Sequence, residues 1–556
     1  MKPRKKQGFV HGALILMLSN IVVKAIGALF KIPLSNIIGD TAMGYFNSAY
    51  SIYSMCFLIS TAGLPVAISR MIAASRARGK RREVEKIYRV SLMIFLGIGI
   101  IGTMFLFFGA DAIARLPGEP ELAICIKAIS PIMFFICLVS CVRGYFQGNQ
   151  NMTPTAVSQI VEVLGNLFLG LSAGIFSKKA GYASPVIAAF ALAGITLGVV
   201  ASGIYLAFVK WLSDRQNAID QGEACESAGQ IARSLIAIAI PITISSSVLS
   251  LTSVIDSMLA VRRLNDACVN VIYFAAQSTK PVAVTLYGAY MAKAITLFNL
   301  PPTIIYPFAI SIIPTISASE ATGDQLSLKK TMDFTFRIVS VICLPAAIGM
   351  GVLARPIIGL LFSSNEPVYF DATGTAHLSN DIAAPMLAIL CGAIVFSGLI
   401  SVSGAMLQAS GFERKSIIST TVGVSIKALA VIFLIGIPRI GYFGIPLSTL
   451  FCYLVMFLFN MYFLSRYVGY HLPFRKVLLR PLIAALVCGV SALISYALLQ
   501  HLISFKLATV ASIVIAALVY IPTLFLIRGF ETEDVLMLPK GETVLRLLQK
   551  VRLLPR

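Results

Sequence analysis

The sequence predicts an all-α polytopic membrane protein with about 14 transmembrane helices, arranged as two six-helix pseudo-symmetric halves plus two C-terminal helices. Three observations predict this architecture. Hydrophobic residues make up 58% of the 556 positions and charged residues only 12%, against about 25% in soluble domains. Apolar runs of the ~20 residues needed to cross a bilayer recur from end to end. Short sequence patterns of the first half return in the same order in the second half.

The predicted helices are the apolar runs of about 20 residues or more. Their approximate limits are 9–32, 42–71, 89–110, 122–146, 153–176, 184–211, 234–260, 284–317, 334–362, 382–409, 415–436, 442–465, 480–501 and 507–528. Several exceed 25 residues, so we expect them to tilt or bend. Prolines inside the spans predict kinks. These prolines are Pro65, Pro131, Pro301, Pro302, Pro307 and Pro345.

The distribution of positive charge predicts the orientation. The N-terminal tail, the even-numbered loops and the C-terminal tail hold about 30 Lys and Arg, whereas the odd-numbered loops hold about 8. By the positive-inside rule both termini are cytoplasmic, in a multi-pass protein of the plasma membrane. The start MKPRKKQ precedes an apolar run without a small-residue cleavage signal, so the first helix is expected to be retained. The tail 542–556 fits an interfacial helix or a solvated tail.

The internal repeat is carried by three pairs of patterns. VVK-x6-K at 22–31 matches VID-x6-R at 254–263, and GYFNSAY at 44–50 matches GAYMAKA at 288–294. GYFQG at 144–148 matches AMLQASG at 405–411, which relates Gln147 to Gln408. Duplication of a six-helix unit predicts two halves of the same topology. The expected domains are residues 1–212, residues 213–470, and residues 471–556 with two extra helices and a basic cytoplasmic tail.

Charged residues inside the spans are the candidate functional residues, because each costs at least about 2.5 kcal/mol to place in a bilayer. Lys24 lies ~22 Å along its helix from the cytoplasmic edge, and Lys293 lies ~14 Å from the outer edge. The two lysines therefore come to similar depth in repeat-related halves, which predicts a shared cationic cavity. Ammonium groups there would attract phosphate, carboxylate or sulfate. Lys31 either faces this cavity or extends to the outer surface.

Three further charged residues are candidates around this cavity. Arg263, at the end of the seventh span beside Arg262, either adds to the outer rim or is an ordinary loop charge. Asp256 aligns with Lys24 in the repeat and is a candidate counter-ion. Glu162 is expected to pair with Arg143 or with Lys127, in a structural ion pair.

Several function classes are excluded by what the sequence lacks. The net charge of +21 comes mostly from short loops, which does not fit a nucleic-acid-binding face. Ten cysteines without a CxxC motif and four dispersed histidines predict no metal site. No GxxxxGK[ST] loop is present, so we expect no ATPase site. No carboxylate cluster lies in a loop, which favours transport over catalysis, with no catalytic residue and no cofactor.

Two segments resemble a known family. GDTAMGYFNSAYSIYSMCFLISTAGLPVAISRMIA (39–73) and RGYFQGNQNMTPTAVSQIVE (143–162) are similar to the multidrug/oligosaccharidyl-lipid/polysaccharide (MOP) flippase superfamily. Within it, they resemble the polysaccharide biosynthesis and stage V sporulation protein B-like branch, which is related to the lipid II flippases. The resemblance places Lys24 and Lys31 at two basic positions of the first span, and Lys293 at a basic position of the eighth. The family's arginine in the second span has no match, since Ser54–Phe57 is uncharged.

The resemblance implies a flippase that moves an anionic lipid-linked saccharide to the outer leaflet by alternating access. The lysines would capture the diphosphate headgroup while the lipid tail stays among the membrane lipids, in a groove beside the last two spans. Membrane potential or an ion gradient would supply the energy, with Asp256 and Glu162 as candidate ion-coupling sites. A monomer is implied. The alternatives are a multidrug/cation antiporter of the same superfamily, which predicts an acidic cavity, and an integral-membrane cell-wall enzyme, which predicts a paired acid and base at one membrane boundary.

Overall fold

The described part of the chain is almost entirely helical. The computed structural model describes residues 9–61, 63–215, 227–270, 282–303, 324–370, 375–437 and 439–529, with the single residues 305, 316, 320 and 322. Two short strands, β1 (Pro367–Phe370) and β2 (Ala376–Leu378), are the strands within this described part. The tail 542–556, predicted to be an interfacial helix or a solvated tail, lies outside the described residues.

The described helices up to residue 298 include thirteen α-helices. They are α1 (Phe9–Ile38), α2 (Asp40–Thr61), α3 (Leu64–Ala77), α4 (Arg81–Arg115), α5 (Leu122–Ile129), α6 (Ile132–Gly148), α7 (Thr153–Gly165), α8 (Leu171–Lys179), α9 (Ser184–Arg215), α10 (Ala228–Val254), α11 (Val261–Asn270), α12 (Val282–Ala289) and α13 (Ile295–Phe298). Short π-helical segments join consecutive helices at Asn166–Gly170, Ile255–Ala260 and Tyr290–Ala294.

The described helices after residue 324 include seven α-helices. They are α14 (Gln325–Val352), α15 (Ala354–Leu361), α16 (Ser379–Ala409), α17 (Glu413–Gly436), α18 (Gly444–Phe463), α19 (Arg480–Leu499) and α20 (Phe505–Leu526). A 3-10 turn at Gly441–Phe443 precedes α18, and π-helical segments lie at Leu464–Val468 and Arg475–Leu479.

The structure confirms a multi-pass helical membrane protein. Within the described residues, eleven helical stretches are long and apolar enough to cross a membrane, and each overlaps one of the predicted spans. The three predicted spans without such a stretch are 42–71, 234–260 and 284–317. Each of these three includes residues of which the backbone or the side chain lies outside the described part. The count of 14 crossings therefore stays a prediction.

Two predicted single helices are in fact broken. The prediction of one helix over 42–71 is wrong, because α2 ends at Thr61 and α3 begins at Leu64. Pro65 lies in the first turn of α3, where its missing N–H costs nothing. The predicted helix 122–146 is interrupted between α5 and α6 at Pro131, where the sequence predicted a kink, and it remains one apolar stretch, Leu122–Gly148.

The chain forms two compact units. The first comprises Met1–Ala292 with Val368–Gly374, and the second comprises Lys293–Pro367 with Thr375–Arg556. These units are defined by packing, whereas the domain boundaries at residues 212 and 470 concern sequence duplication and stay predictions. In the second unit the two C-terminal helices pack beside α14, where the Tyr520 hydroxyl of α20 donates to the Val341 carbonyl at 2.8 Å. A Cβ on Gly489 of α19 would overlap Ile348 of α14, so these helices approach closely.

In the first unit α2 and α12 cross with direct backbone contact. A Cβ on Gly44 would overlap the carbonyl oxygen of Val284, and one on Gly288 would overlap the carbonyl oxygen of Asp40. The hydroxyls of Thr41 and Thr285 lie 3.0 Å apart, and these two residues are 244 positions apart in the chain. Gly44 and Gly288, aligned in the predicted repeat, have the same separation. Equivalent residues of the two helices thus contact one another, as they do in the isologous interface of a two-fold symmetric dimer.

Candidate functional site

The two lysines of α1 lie on one face of the helix but in different environments. Lys24 and Lys31 are seven positions apart in the sequence, which is about two helical turns. Lys24 is exposed and Lys31 is half-buried. The Ser19 hydroxyl of α1 donates to the Ala156 carbonyl at 3.0 Å and so fixes this part of α1 against α7. An exposed ammonium in an apolar membrane span is the clearest unusual feature of the first unit.

Glu162 of α7 forms an ion pair with Arg143 of α6. Arg143 Nη2 donates to Glu162 Oε2 at 2.8 Å, and Arg143 Nε donates to the Ser158 hydroxyl at 2.9 Å. The two charged side chains are 13% and 21% exposed. Of the two partners predicted for Glu162, Arg143 is therefore the one observed. Lys127 instead pairs with the exposed Asp111 at 2.8 Å.

Asp256 and Arg263 lie near one another in the chain but in different surroundings. Asp256 belongs to the π-helical segment Ile255–Ala260 and is 5% exposed. Arg263 of α11 is half-buried, with its guanidinium 3.7 Å from the Asp266 carboxylate on the next turn. Their roles as coupling site and cavity rim stay predictions.

The two glutamines related by the repeat are each described within their own unit. Gln147 is half-buried near the end of α6, and Gln408 is exposed near the end of α16. Both lie in the last turn of their helices. Among the described residues, no group of three or more His, Cys, Asp or Glu side chains is placed to hold a metal ion.

Lys293, in the second unit, is enclosed by oxygen atoms. Its ammonium donates to the Ser364 carbonyl at 2.8 Å, the Ser379 hydroxyl at 2.7 Å and the Asn380 Oδ1 atom at 2.8 Å. The residue is 0% exposed. We call these three acceptors the Lys293 cage. Helical rise predicts the depth of Lys293, ~14 Å from the outer edge, but not its contacts with Ser364, Ser379 and Asn380. The only local signal was the Ser-Asn-Asp run at the start of α16.

A second polar cluster, in the first unit, ties the loop between α4 and α5 to α2 and α11. Asn265 Nδ2 donates to Glu119 Oε1 at 3.0 Å and to the Pro117 carbonyl at 3.2 Å. The Tyr45 hydroxyl lies 3.4 Å from Glu119 Oε2 and 3.1 Å from Glu121 Oε2. Glu119 is 8% exposed. Arg115 and Arg262 line the adjoining cleft of about 500 Å³.

The Glu119 cluster predicts a pH-dependent stability. Burial raises the pKa of the Glu119 carboxyl, the hydrogen bonds from Asn265 and Tyr45 oppose this rise, and the Glu121 charge adds to it. The folded protein thus holds this proton more tightly than the unfolded chain, where Glu has a pKa of about 4.3. The contribution is complete below that value and is lost as the pH rises through the raised pKa. Relative to Glu119→Gln, the wild-type free energy of unfolding should therefore increase on acidification from pH 8 to pH 4. A flat or falling difference between the two proteins, measured in the same detergent, would contradict the burial of Glu119.

Residues 9–320 match the family described as Polysaccharide biosynthesis protein. The chain belongs to this family. The match spans the cationic α1, the α2–α12 crossing and the Arg143–Glu162 pair, and it confirms the family that the two sequence segments indicated.

Curated relatives match over most of their length. The chain is 23% identical to the lipid II flippase MurJ of Bacillus subtilis over 511 residues, which covers 89% of each protein. It is 25% identical to the stage V sporulation protein B of Bacillus subtilis, over 80% of this chain and 81% of that protein.

Solved transporter structures share the fold. The inward closed conformation of lipid II flippase MurJ superimposes with a TM-score of 0.65 at 14% identity, covering 92% of this chain and 98% of that one. An inward-facing multidrug resistance MATE family transporter of the MOP superfamily superimposes with a TM-score of 0.61 at 17% identity, covering 82% and 98%. The chain therefore shares its fold with these transporters.

Proposed function

We propose that this protein flips an anionic lipid-linked saccharide, with a diphosphate headgroup, from the inner to the outer leaflet of the plasma membrane. The observation that carries the proposal is Lys24, an exposed ammonium in the apolar α1 with Lys31 on the same face. A phosphate group compensates an ammonium charge inside a membrane, where each unpaired charge is costly. Relatives described as a lipid II flippase and as a sporulation protein support a substrate used in peptidoglycan or polysaccharide synthesis.

In the proposed mechanism the headgroup contacts the basic residues while the lipid tail remains in the bilayer. Lys24 and Lys31 of the first half, with Lys293 of the second and Arg263 at the rim, provide the positive charge. The two sequence halves alternate between opening to the cytoplasm, where both termini lie, and opening to the outside. Hydrophobic side chains exposed along α19 and α20, such as Leu493 and Leu518, fit contact with lipid tails.

The energy source is proposed to be the membrane potential or an ion gradient. Moving one charge through 100 mV is worth about 2.3 kcal/mol. Of the two candidate coupling residues, Glu162 accepts a hydrogen bond from Arg143, which is itself bonded to the Ser158 hydroxyl, and this supports a structural role for Glu162. The buried Asp256 is the stronger candidate for ion coupling. Undiminished flipping after collapse of both the potential and the ion gradients would contradict this energy source.

The test replaces the lysines and measures headgroup exposure. Lys24→Gln and Lys293→Gln, singly and together, should each slow appearance of the headgroup outside reconstituted vesicles by about tenfold or more, because a hydrogen bond to a charged group contributes about 1.5–3 kcal/mol. Lys178→Gln, which removes an exposed lysine at the end of α8, is the matched control and should flip normally. Wild-type flipping by the double variant would overturn the proposal.

The two alternative functions make different demands on the site. A multidrug/cation antiporter of the same fold needs an acidic cavity, and the exposed Lys24 repels cationic drugs. An integral-membrane enzyme needs an acid and a base side by side, and Glu119 with Glu121 is the nearest such pair. Both Glu119 oxygens accept hydrogen bonds from neighbouring helices, however, which assigns this pair to tethering the loop. Release of phosphate or diphosphate by the purified protein would favour the enzyme.

A further inference from the structure

The Lys293 cage offers one oxygen atom for each N–H group of the ammonium. A lysine ammonium has three N–H donors, and the three cage oxygens take hydrogen bonds of 2.7–2.8 Å from it. One is a backbone carbonyl, one a hydroxyl and one a carboxamide oxygen, so each of these three acceptors is a neutral oxygen. Charge-assisted hydrogen bonds of this length are among the strong ones. In this conformation a phosphate group would have to replace cage oxygens in order to contact Lys293.

The cage is a built feature and not a chance contact, because its own parts are fastened together. The Asn380 backbone N–H donates to Asn365 Oδ1 at 3.0 Å, and Asn380 Nδ2 donates to the Phe362 carbonyl at 3.1 Å. The Ser379 backbone N–H donates to the Glu366 carbonyl at 3.0 Å. These bonds fold the chain after α15 back onto the first turn of α16. Lys293 joins that assembly from the π-helical segment Tyr290–Ala294.

The position of Lys293 in a π-helical segment gives the lysine a backbone that can rearrange. A π-helical turn holds an extra residue and is frequent at functional sites. Conversion of such a turn to regular α-helix rotates the residues that follow, and would turn Lys293 relative to α16. The cage therefore combines a lysine that is hydrogen-bonded to three oxygens with a helix segment whose rearrangement would release it.

We propose that the cage is an internal competitor for the substrate: its three oxygens hold Lys293 in place of phosphate oxygens, and the lysine reaches the headgroup only when it leaves them. This inference rests on the proposed function for the phosphate contact, but the cage itself is independent of it. Only the fraction of molecules with Lys293 released binds tightly, so the apparent dissociation constant exceeds the intrinsic one by the inverse of that fraction. Weakening the cage then tightens substrate binding, whereas a purely structural cage would give weaker binding.

The first experiment measures release of Lys293 without any substrate. The full-length protein in nanodiscs is treated with an amine-acylating reagent, and the rate of acylation at Lys293 is followed by peptide mass spectrometry. Ser379→Ala removes one acceptor and should raise this rate about tenfold, the factor expected for one hydrogen bond to a charge. Asn380→Asp makes the cage anionic and should lower it. Ser401→Ala, on the same helix with a local bond to the Ser397 carbonyl, should leave it unchanged. Equal rates in Ser379→Ala and the control overturn the cage.

The second experiment measures competition, with farnesyl diphosphate as the probe. Its dissociation constant should fall about tenfold in Ser379→Ala and rise in Asn380→Asp. Unchanged or weaker binding in Ser379→Ala, with faster acylation, overturns the competitor role. Lys293→Gln reports separately on the proposed function. If Lys293→Gln binds the probe as tightly as wild type, Lys293 makes no phosphate contact and the competitor role is wrong. The acylation experiment still decides separately whether the cage exists.

The two cage variants are expected to change the dissociation constant in opposite directions, so misfolding of one variant would not reproduce the expected pair of results.

Discussion

Gly288→Ala is expected to lose about 3 kcal/mol or more of stability, although alanine is the better helix former by about 1 kcal/mol. The added Cβ would overlap the carbonyl oxygen of Asp40 and the backbone nitrogen of Gly44. These are backbone atoms, so no side-chain rotation relieves the overlap and α2 must move away from α12. Overpacking of well-packed sites costs about 1–3 kcal/mol and occasionally more. The midpoint of thermal unfolding in detergent, and the yield of folded protein, measure the effect.

The matched control is Gly97→Ala on α4, where an added Cβ would meet nothing within 4 Å. That variant should keep or slightly raise the unfolding midpoint, through helix propensity alone. Gly44→Ala should behave like Gly288→Ala, because its Cβ would overlap the Val284 carbonyl oxygen. Equal unfolding midpoints for Gly97→Ala and Gly288→Ala would refute the backbone contact between α2 and α12.

Arg143→Met is expected to lower the free energy of unfolding by about 3–5 kcal/mol, because it leaves the Glu162 carboxylate without its guanidinium partner in an apolar region. The pair is short and well shielded, with the two side chains 13% and 21% exposed. The double variant Arg143→Met/Glu162→Leu should recover most of the loss, since replacing both charges removes the uncompensated one. A denaturant titration of the four proteins gives the coupling energy between the two residues.

Lys127→Met provides the comparison for an exposed ion pair. Lys127 and Asp111 are as close as Arg143 and Glu162, but their side chains are 39% and 63% exposed. Exposed pairs contribute about 0–1 kcal/mol, so this variant should be nearly as stable as the wild type. If Arg143→Met lowers the free energy of unfolding as little as Lys127→Met does, Glu162 is not held in an apolar environment. That result would favour Glu162 again as a coupling site.

The spans were predictable because the bilayer imposes a requirement that a single sequence displays. About 20 apolar residues in a row are needed wherever the chain crosses, and α4, α9 and α16 meet it plainly. The break between α2 and α3 was not predicted, because the same Pro65 fits a kink within a helix or the first turn of a new one. The sequence offers no means of choosing between them without knowing which backbone groups neighbouring helices satisfy.

The candidate residues were predictable from the free-energy cost of placing a charge in the bilayer, whereas their partners were not predictable. A lysine in a span is conspicuous at any depth, so Lys24 and Lys293 were identified. The acceptors of Lys293 lie 71, 86 and 87 residues further along the chain. They belong to a loop and to the first turn of a helix, where uncharged polar residues are ordinary and do not attract attention in the sequence. Arg143 was one of the two partners predicted for Glu162, because both are charges in adjacent spans, 19 residues apart. Thus energetically expensive groups can be found in a sequence, whereas the neutral oxygens that accommodate them cannot.

The crossing of α2 and α12 carries information about descent. The Thr41 hydroxyl contacts the Thr285 hydroxyl, and each of Gly44 and Gly288 packs against the helical turn that contains the other. Equivalent residues of the proposed repeats therefore face one another. Under the proposed duplication, an ancestral half-length chain would have met a second copy of itself through one threonine and one glycine. A single substitution in that ancestor would have altered both sides of the contact at once. After fusion the two sides could diverge, and the present chain has kept the small residues at both while Lys24 and Asp256, aligned in the same repeat, became opposite in charge.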